Sequence, residues 1–341
     1  MTSEKMKILC TGGAGFIGSH LVERLRVEGH DVTIIDNFQT GSLDNLIWVR
    51  ERPGLPVHVW EMNVRKLPLD LPVADEWYFD RIYHLACPAS PPQYQKNPAG
   101  TILTSIEGTV HVLELARATK ARVLFTSTSE VYGDPGVHPQ TESYWGNVNP
   151  VGPRSCYDEG KRAAEALCWA YHHQHDVDVR IARVHNTYGP RMSPHDGRVV
   201  SNFIVQALAG KPLTVFGSGQ QTRSLCYVSD TIEALCRLME VSDEQAPHLL
   251  PFGPTNIGNP NEITMLELGN RIKVAVGRVG CGAPTIEYKP LPQDDPTRRC
   301  PDISRAKALL DWEPKIGLDE GLKRTVEWFS SASRSRTSER G

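Results

Sequence analysis

Apolar and polar positions change period along this chain in a regular order. The run KILC (7–10) leads into a glycine-rich turn, then into FIGSHLVERLRVEG, whose apolar residues recur at helical spacing, and then into DVTIID (31–36). Strand, turn, helix and strand in that order make a βαβ unit, which requires a right-handed crossover between parallel strands. The alternation continues through VHVWEM, RIYHLA, ARVLFTS and VDVRIARV as strands, with helical stretches near 98–119 and 155–175 between them. The expected fold class is therefore α/β, a Rossmann-type doubly wound parallel sheet.

Beyond about residue 186 the texture shifts. Short strands (LTVF, RSLCYV, TNIG, TIEYK) mix with amphipathic helices near 199–209, 230–240, 264–276 and 317–329 and with loops rich in proline and glycine. This predicts a smaller C-terminal α/β lobe over the carboxyl ends of the strands, where open α/β sheets bind ligands. The expected division is a dinucleotide-binding Rossmann domain over 1–186, a mainly substrate-binding lobe over 187–330, and a flexible tail over 331–341, where SSASRSRTSERG fades into polar residues.

Composition narrows the function. With 341 residues the chain suits two substructures on one continuous core, and 40% apolar with 23% charged residues is ordinary for a soluble globular protein. A net charge of -3 supplies no broad basic field, so no nucleic-acid partner is expected. The opening residues MTSEKMK run into ILCTGG without a long apolar stretch, so no membrane association is expected and the cytoplasm is the expected location. Eight cysteines lie scattered without a CxxC pair and read as free thiols of a reducing compartment, with no metal site. His172, His173 and His175 read as a solvated helix end.

TGGAGFIG places Gly12, Gly15 and Gly18, with Phe16 and Ile17 between them, where a strand turns into a helix. Glycines at this spacing let the backbone approach a pyrophosphate, which the helix N-terminus then faces. Asp36 ends the second strand, where a carboxylate can accept from adenosine ribose hydroxyls. Asn37 and the rest of NFQTG bring no cation for a 2′-phosphate, so the expected cofactor is NAD rather than NADP. Leu85 and Ala86, in YHLACPAS, end another strand and should lie along the same cofactor, while His84 reads as a packed strand residue.

SCYDEGKRAAEAL sets Tyr157 and Lys161 one helical turn apart on one face. A phenol near pKa 10 is a poor base at neutral pH unless a cation and desolvated surroundings lower it, and Lys161 is placed to do so while also holding the nicotinamide ribose. With a hydroxyl from Thr128, this is a hydride-transfer site in which Tyr157 takes a proton from an alcohol.

These segments, with GGAGFIGSH, YHLACPASPP, TSTSEVYGDP, HPQTESYWGNVNPVGPRSCYDEGKR, NTYGPRM, DGRVVSNFI, QTRSLCYVSD and DDPTRRCPDISRAKALLDWEP, cover most of residues 7–330 and resemble the extended short-chain dehydrogenase/reductase family, above all its branch that decarboxylates UDP-glucuronate. The resemblance implies conversion of UDP-glucuronate to UDP-xylose and CO2 on tightly held NAD. It also implies a homodimer, whose interface the helices near 98–119 and 155–175 could form, although an intrachain core would explain their faces too. Sugar-nucleotide dehydratases of the family carry an Asp-Glu pair where this chain has Ser129-Glu130. Without that acid, water elimination lacks its proton donor, and Glu130 is expected to position the sugar or a water, or else to serve as an acceptor behind Tyr157.

By the same resemblance Pro88 and Ser90 of CPASPP, Asn186, Val215, Gln221 and Arg223 should meet the UDP-sugar, and Tyr94 either closes over it or packs its own loop. Arg299 should stand near the sugar carboxylate, where it positions the sugar or acts in proton transfer, and Arg191 is a further candidate cation. The chain departs from the family pattern at Ser105, where an amide is usual, at Glu107, where an apolar residue is common, and at His185. An epimerase or dehydratase of the same scaffold, and a non-catalytic NAD-binding regulator, stay open as alternatives.

Overall fold

The computed structural model describes residues 5–51, 57–68, 77–242, 253–282, 284–291 and 298–338. Its strands, in chain order, are β1 (Lys7–Thr11), β2 (Asp31–Asp36), β3 (Val57–Glu61), β4 (Arg81–His84), β5 (Arg122–Thr128), β6 (Val179–Val184), β7 (Thr187–Tyr188), β8 (Leu213–Phe216), β9 (Thr222–Ser224), β10 (Cys226–Tyr227), β11 (Thr255–Ile257), β12 (Glu262–Thr264), β13 (Ile286–Lys289) and β14 (Arg298–Arg299). The α-helices are α1 (Phe16–Val27), α2 (Trp48–Glu51), α3 (Pro91–Tyr94), α4 (Pro98–Thr119), α5 (Ser155–His175), α6 (Val199–Leu208), α7 (Val228–Glu240), α8 (Met265–Gly277), α9 (Ser304–Leu310) and α10 (Leu318–Ser338).

The central sheet is parallel throughout, in the order β11-β6-β5-β4-β1-β2-β3. Alternate residues of each strand feed opposite cores. Ile8, Cys10, Val32, Ile34 and Leu124 meet Leu21, Val22 and Leu25 of α1 and Leu235 and Leu238 of α7 on one face. Leu9, Ile35, Ile82, Val123 and Phe125 meet Val112 and Ala116 of α4 and Ala164 and Cys168 of α5 on the other. Burial on both faces is why these strands read as nearly continuous apolar runs. Helix α4 starts at Asn97, whose side chain accepts from the Gly100 N–H, with Pro98 at the first helical position; it stops at Lys120 in the left-handed conformation.

Two features depart from the sequence expectation. The 1–186 and 187–330 division does not follow the sheet, because β11 pairs with β6 as its seventh strand and α7 packs on β5 and β6. An open β6 edge would expose unpaired backbone, and the C-terminal segment covers it. Helix α10 continues to Ser338, so most of the expected tail is helical, residues 339–341 lying outside those described. The rest of the C-terminal part forms small sheets, β12-β9-β14, β13-β8 and β10-β7, set over the carboxyl ends of the large one.

Candidate active site

A cleft of about 1280 Å³ runs between the carboxyl ends of β1, β2, β4, β5 and β6 and the small sheets. The strand order reverses at β1 and β4, which is where doubly wound sheets open a crevice. At one end, Gly12 takes a left-handed φ of 72°, and a Cβ there would lie 2.9 Å from the backbone of Ala86. A Cβ on Gly18 would lie 2.2 Å from the Gly12 carbonyl oxygen, so only hydrogen fits where helix and turn cross. Gly15, Phe16, Ile17 and Gly18 line the cleft, and Gly15 gives α1 no side-chain cap, which leaves first-turn N–H groups for an anion.

Asp36 and Asn37 border the same end. The Asp36 carboxylate accepts from the Ala14 N–H at 3.0 Å and the Phe38 N–H at 2.9 Å; burial raises its pKa, and these backbone donors oppose that. Leu85 and Ala86 continue the wall. His84 is a packed residue: its Nδ1 lies 2.7 Å from the Thr11 hydroxyl and its Nε2 3.2 Å from that of Thr109, and burial, helped by Lys161, lowers its pKa to about 3. The glycine cradle, bare helix terminus and carboxylate fit a dinucleotide.

Beyond the cradle, Thr128 ends β5 and caps a 3₁₀ turn over Ser129–Tyr132, its hydroxyl accepting from the Glu130 N–H at 3.2 Å. The Tyr157 phenol neighbours the Thr128 side chain. Burial, followed by the neighbouring Cys87, pushes the phenol pKa up, and the Thr128 contact only partly opposes this. Lys161, one turn on, donates to the Thr126 carbonyl at 2.8 Å and sits 4.7 Å over the Phe125 ring. Burial lowers its pKa, with Cys87 opposing. Burial, which the sequence expectation counted together with a cation as lowering this phenol's pKa, raises it instead.

Tyr94 does not line the cleft. It stacks on Tyr157 with ring centroids 5.1 Å apart and 2° between planes, and it is 1% exposed. The turn of α3 brings it inward, where the Thr101 hydroxyl donates to its carbonyl at 3.0 Å. It packs against the Tyr157 ring from behind.

Glu130 is clamped by two guanidiniums. Arg154 donates to its Oε2 at 2.6 Å, while Arg299 donates to both carboxylate oxygens, through Nη1 to Oε1 and through Nη2 at 2.5 Å to Oε2. Burial would raise the Glu130 pKa, but Arg299 and Arg154 outweigh it and hold the carboxyl well below its usual range. Next to Tyr157, Asp158 is buried with its Oδ1 unpartnered among the described residues. Burial, together with the Glu130 charge, raises its pKa to about 7 against the opposing pull of Arg154 and Arg299.

That shift sets a stability prediction. A carboxyl whose folded pKa is raised favours folding at low pH and loses the benefit as pH climbs from its ordinary 3.8 towards 7. Asp158→Asn should therefore leave thermal stability near pH 4 unchanged and raise it at pH 8, by on the order of 1–4 kcal/mol. Thermal melts across that range check this, and equal effects at both ends would contradict it.

Facing this centre, β9 and β14 are paired so that Arg223 lies opposite Arg299. Both line the cleft, together with Pro88, Ser90, Asn186, Val215 and Gln221. Arg191 also reaches the wall, but Glu23 of α1 binds it at 2.5 Å and it lies 5.9 Å from the Trp48 ring centroid, so it is held at the dinucleotide side. The three departures have local partners. Ser105 meets Cys87 Sγ at 3.3 Å, Glu107 pairs with Arg65 at 2.5 Å, and His185 lies 3.4 Å from Asn256. Sequence reasoning passed over Arg154 and Asp158, although both stand in the GPRSCYDEGKR segment; a cation one turn before Tyr157 was the available signal.

The family model described as GDP-mannose 4,6 dehydratase matches residues 9–325. The chain is 55% identical over 328 residues to UDP-glucuronic acid decarboxylase 6 of Arabidopsis thaliana, covering 95% of this chain and 89% of that one. It is 50% identical over 329 residues to UDP-glucuronic acid decarboxylase 1 of Danio rerio, covering 96% and 73%. Among solved structures, UDP-glucuronic acid 4-epimerase from Bacillus cereus, in complex with UDP-glucuronic acid and NAD, superposes with a TM-score of 0.81 at 28% identity, over 96% of this chain and all of that one.

Proposed function

Because the chain belongs to the extended short-chain dehydrogenase/reductase family, in its UDP-glucuronic acid decarboxylase branch, we propose that its cleft turns UDP-glucuronate into UDP-xylose and CO2 by oxidation, decarboxylation and re-reduction. The observation that carries this reading is the clamped Glu130. A dehydratase needs a base to take the sugar's C5 proton, and a carboxylate held by two guanidiniums is a weak one. Decarboxylation needs none, because loss of CO2 leaves the electron pair on C5. Ser129, buried beside Glu130, offers no carboxylic acid for expelling a hydroxyl.

Gly12, Gly15, Phe16, Ile17, Gly18, Asp36, Asn37, Leu85, Ala86 and Lys161 are the residues that would hold NAD. When bound, NAD supplies a hydride acceptor that later returns the hydride, and the positive charge of its oxidised ring. Tyr157 then takes the proton from the 4-hydroxyl, with Thr128 as hydrogen-bond partner, giving a ketone β to the carboxylate. The two hydroxyls stabilise the enolate formed as CO2 departs, a water in the cleft then protonates C5 to restore the ketone, and Tyr157 returns its proton to the 4-oxygen when that ketone is reduced. Arg223 and Asn186 suit the diphosphate, Val215 and Gln221 the uracil end, and Pro88 and Ser90 the sugar. Arg299 suits the substrate carboxylate if it exchanges its bond to Glu130 for one to the incoming anion.

The free cysteines support a reducing compartment, the cytosol, and among the described residues no helix is long and apolar enough to cross a membrane. The outer faces of α4 and α5, where Leu103 and Trp169 are exposed, support a homodimer. The function is tested by incubating the pure protein with UDP-glucuronate and catalytic NAD and following the sugar protons by NMR. UDP-xylose is the expected product; UDP-galacturonate or a stalled 4-keto sugar would replace this reading with epimerase or oxidase chemistry.

A further inference from the structure

Outside the cleft, His138, Glu262 and Cys300 bring an imidazole nitrogen, a carboxylate oxygen and a thiol sulfur within 4.8 Å of one another. They come from distant parts of the chain: His138 from the loop after the Glu130 turn, Glu262 from β12, and Cys300 from the residue that follows β14. We propose that these residues form a binding site for a zinc-class divalent cation.

Several observations make this a prepared site. His138 Nε2 and Glu262 Oε2 are already 2.9 Å apart, so a cation between them requires only a small separation of the two. The other Glu262 oxygen accepts from the Thr222 hydroxyl at 2.6 Å, an outer-shell bond that orients the carboxylate and leaves Oε2 facing the cluster. The backbone around the third ligand is pinned: the Cys300 N–H donates to Gln140 Oε1 and the Gln140 N–H to the Cys300 carbonyl, both at 2.8 Å. This ties the strand end to the His138 loop. His138 and Glu262 are exposed while Cys300 is buried, so the cation has a path in and a protected sulfur at the base.

Donor chemistry selects the ion. Mixed nitrogen, oxygen and sulfur ligands suit zinc, whereas calcium and magnesium take oxygen alone. Three protein ligands leave the fourth tetrahedral position to water at the exposed side. In the metal-free protein the Cys300 thiol donates to the Pro260 carbonyl at 3.2 Å. Binding breaks the S–H bond, forms a sulfur–metal bond and releases the proton to solvent, with no change of oxidation state.

The site sits on the small sheet that carries both cleft arginines. Arg299 immediately precedes Cys300, and Arg223 lies beside it in β9. A bound cation thus staples this sheet to the loop following Glu130 and restrains the backbone that aims Arg299. None of this depends on which sugar nucleotide the cleft accepts.

The test is titration of the full-length, metal-stripped protein with Co²⁺ and with Zn²⁺. One equivalent of Co²⁺ should give a sulfur-to-cobalt charge-transfer band with tetrahedral d–d bands, and Zn²⁺ should displace it and raise the melting temperature. Cys300→Ala should abolish the charge-transfer band, and His138→Gln, at an exposed position that spares the fold, should weaken binding by at least the ~10–100-fold that an outer-shell partner is worth. Hydrogen exchange at 138–140 and 298–301 should slow on zinc addition in the parent only. A parent without the band, or a band that persists in Cys300→Ala, overturns the proposal; so does undiminished affinity in His138→Gln.

Discussion

Tyr157→Phe is expected to cut turnover of UDP-glucuronate by ~10²–10⁴-fold, the usual worth of a positioned acid–base group. The ring stays stacked on Tyr94, and only the hydroxyl with its contact to Thr128 is lost, a matter of about 1 kcal/mol of stability. Fold and nucleotide binding should therefore survive while both hydride steps fail. Single-turnover measurements should show the first oxidation slowed together with product formation, with unchanged UDP-sugar affinity by calorimetry. A variant retaining more than about a tenth of parental turnover would remove Tyr157 from the proton path.

Glu130→Gln should have the second large effect, on stability as much as on rate. Glu130, Arg154 and Arg299 are mostly buried, with side chains 14%, 10% and 6% exposed. Removing the shared anion leaves two guanidiniums facing each other without it, which should cost ~3–5 kcal/mol. The pH dependence carries the sign. A carboxyl held below its ordinary pKa adds stability that is fully present above about 4.5 and is lost as pH falls through the folded value, so the parent should lose stability on acidification over that window. The variant should lack this limb. Adding Arg299→Met to Glu130→Gln should recover part of the loss, since the repulsion then disappears. Denaturant melts between pH 3 and 8 check all of this, and superimposable profiles for parent and Glu130→Gln would show that the clamp is energetically idle.

Both predictions rest on groups that differ in how plainly the chain announces them. Tyr157 and Lys161 share a helix face by spacing alone, and Gly12, Gly15, Gly18 and Asp36 follow from where one strand turns into a helix and the next strand ends. The helices over 98–119 and 155–175 are bounded where apolar periodicity, Asn97 and Pro98 put them. Local periodicity and steric need are properties of neighbouring residues, and so they are readable along the chain.

What the chain could not announce is contact between distant segments. That Arg154 and Arg299 close on one carboxylate, that Tyr94 stacks on Tyr157, and that TNIG completes the large sheet instead of the small lobe all depend on how elements pack. The same holds for His138, Glu262 and Cys300, which look like unrelated polar residues until β12, β14 and the loop meet. The sequence determined the sheet, the cradle and the placement of Tyr157 and Lys161 on one helix face, because backbone sterics and side-chain period act over a few residues. Only the tertiary structure decided charge pairing and pKa, because those depend on burial and on distances between groups far apart in the chain.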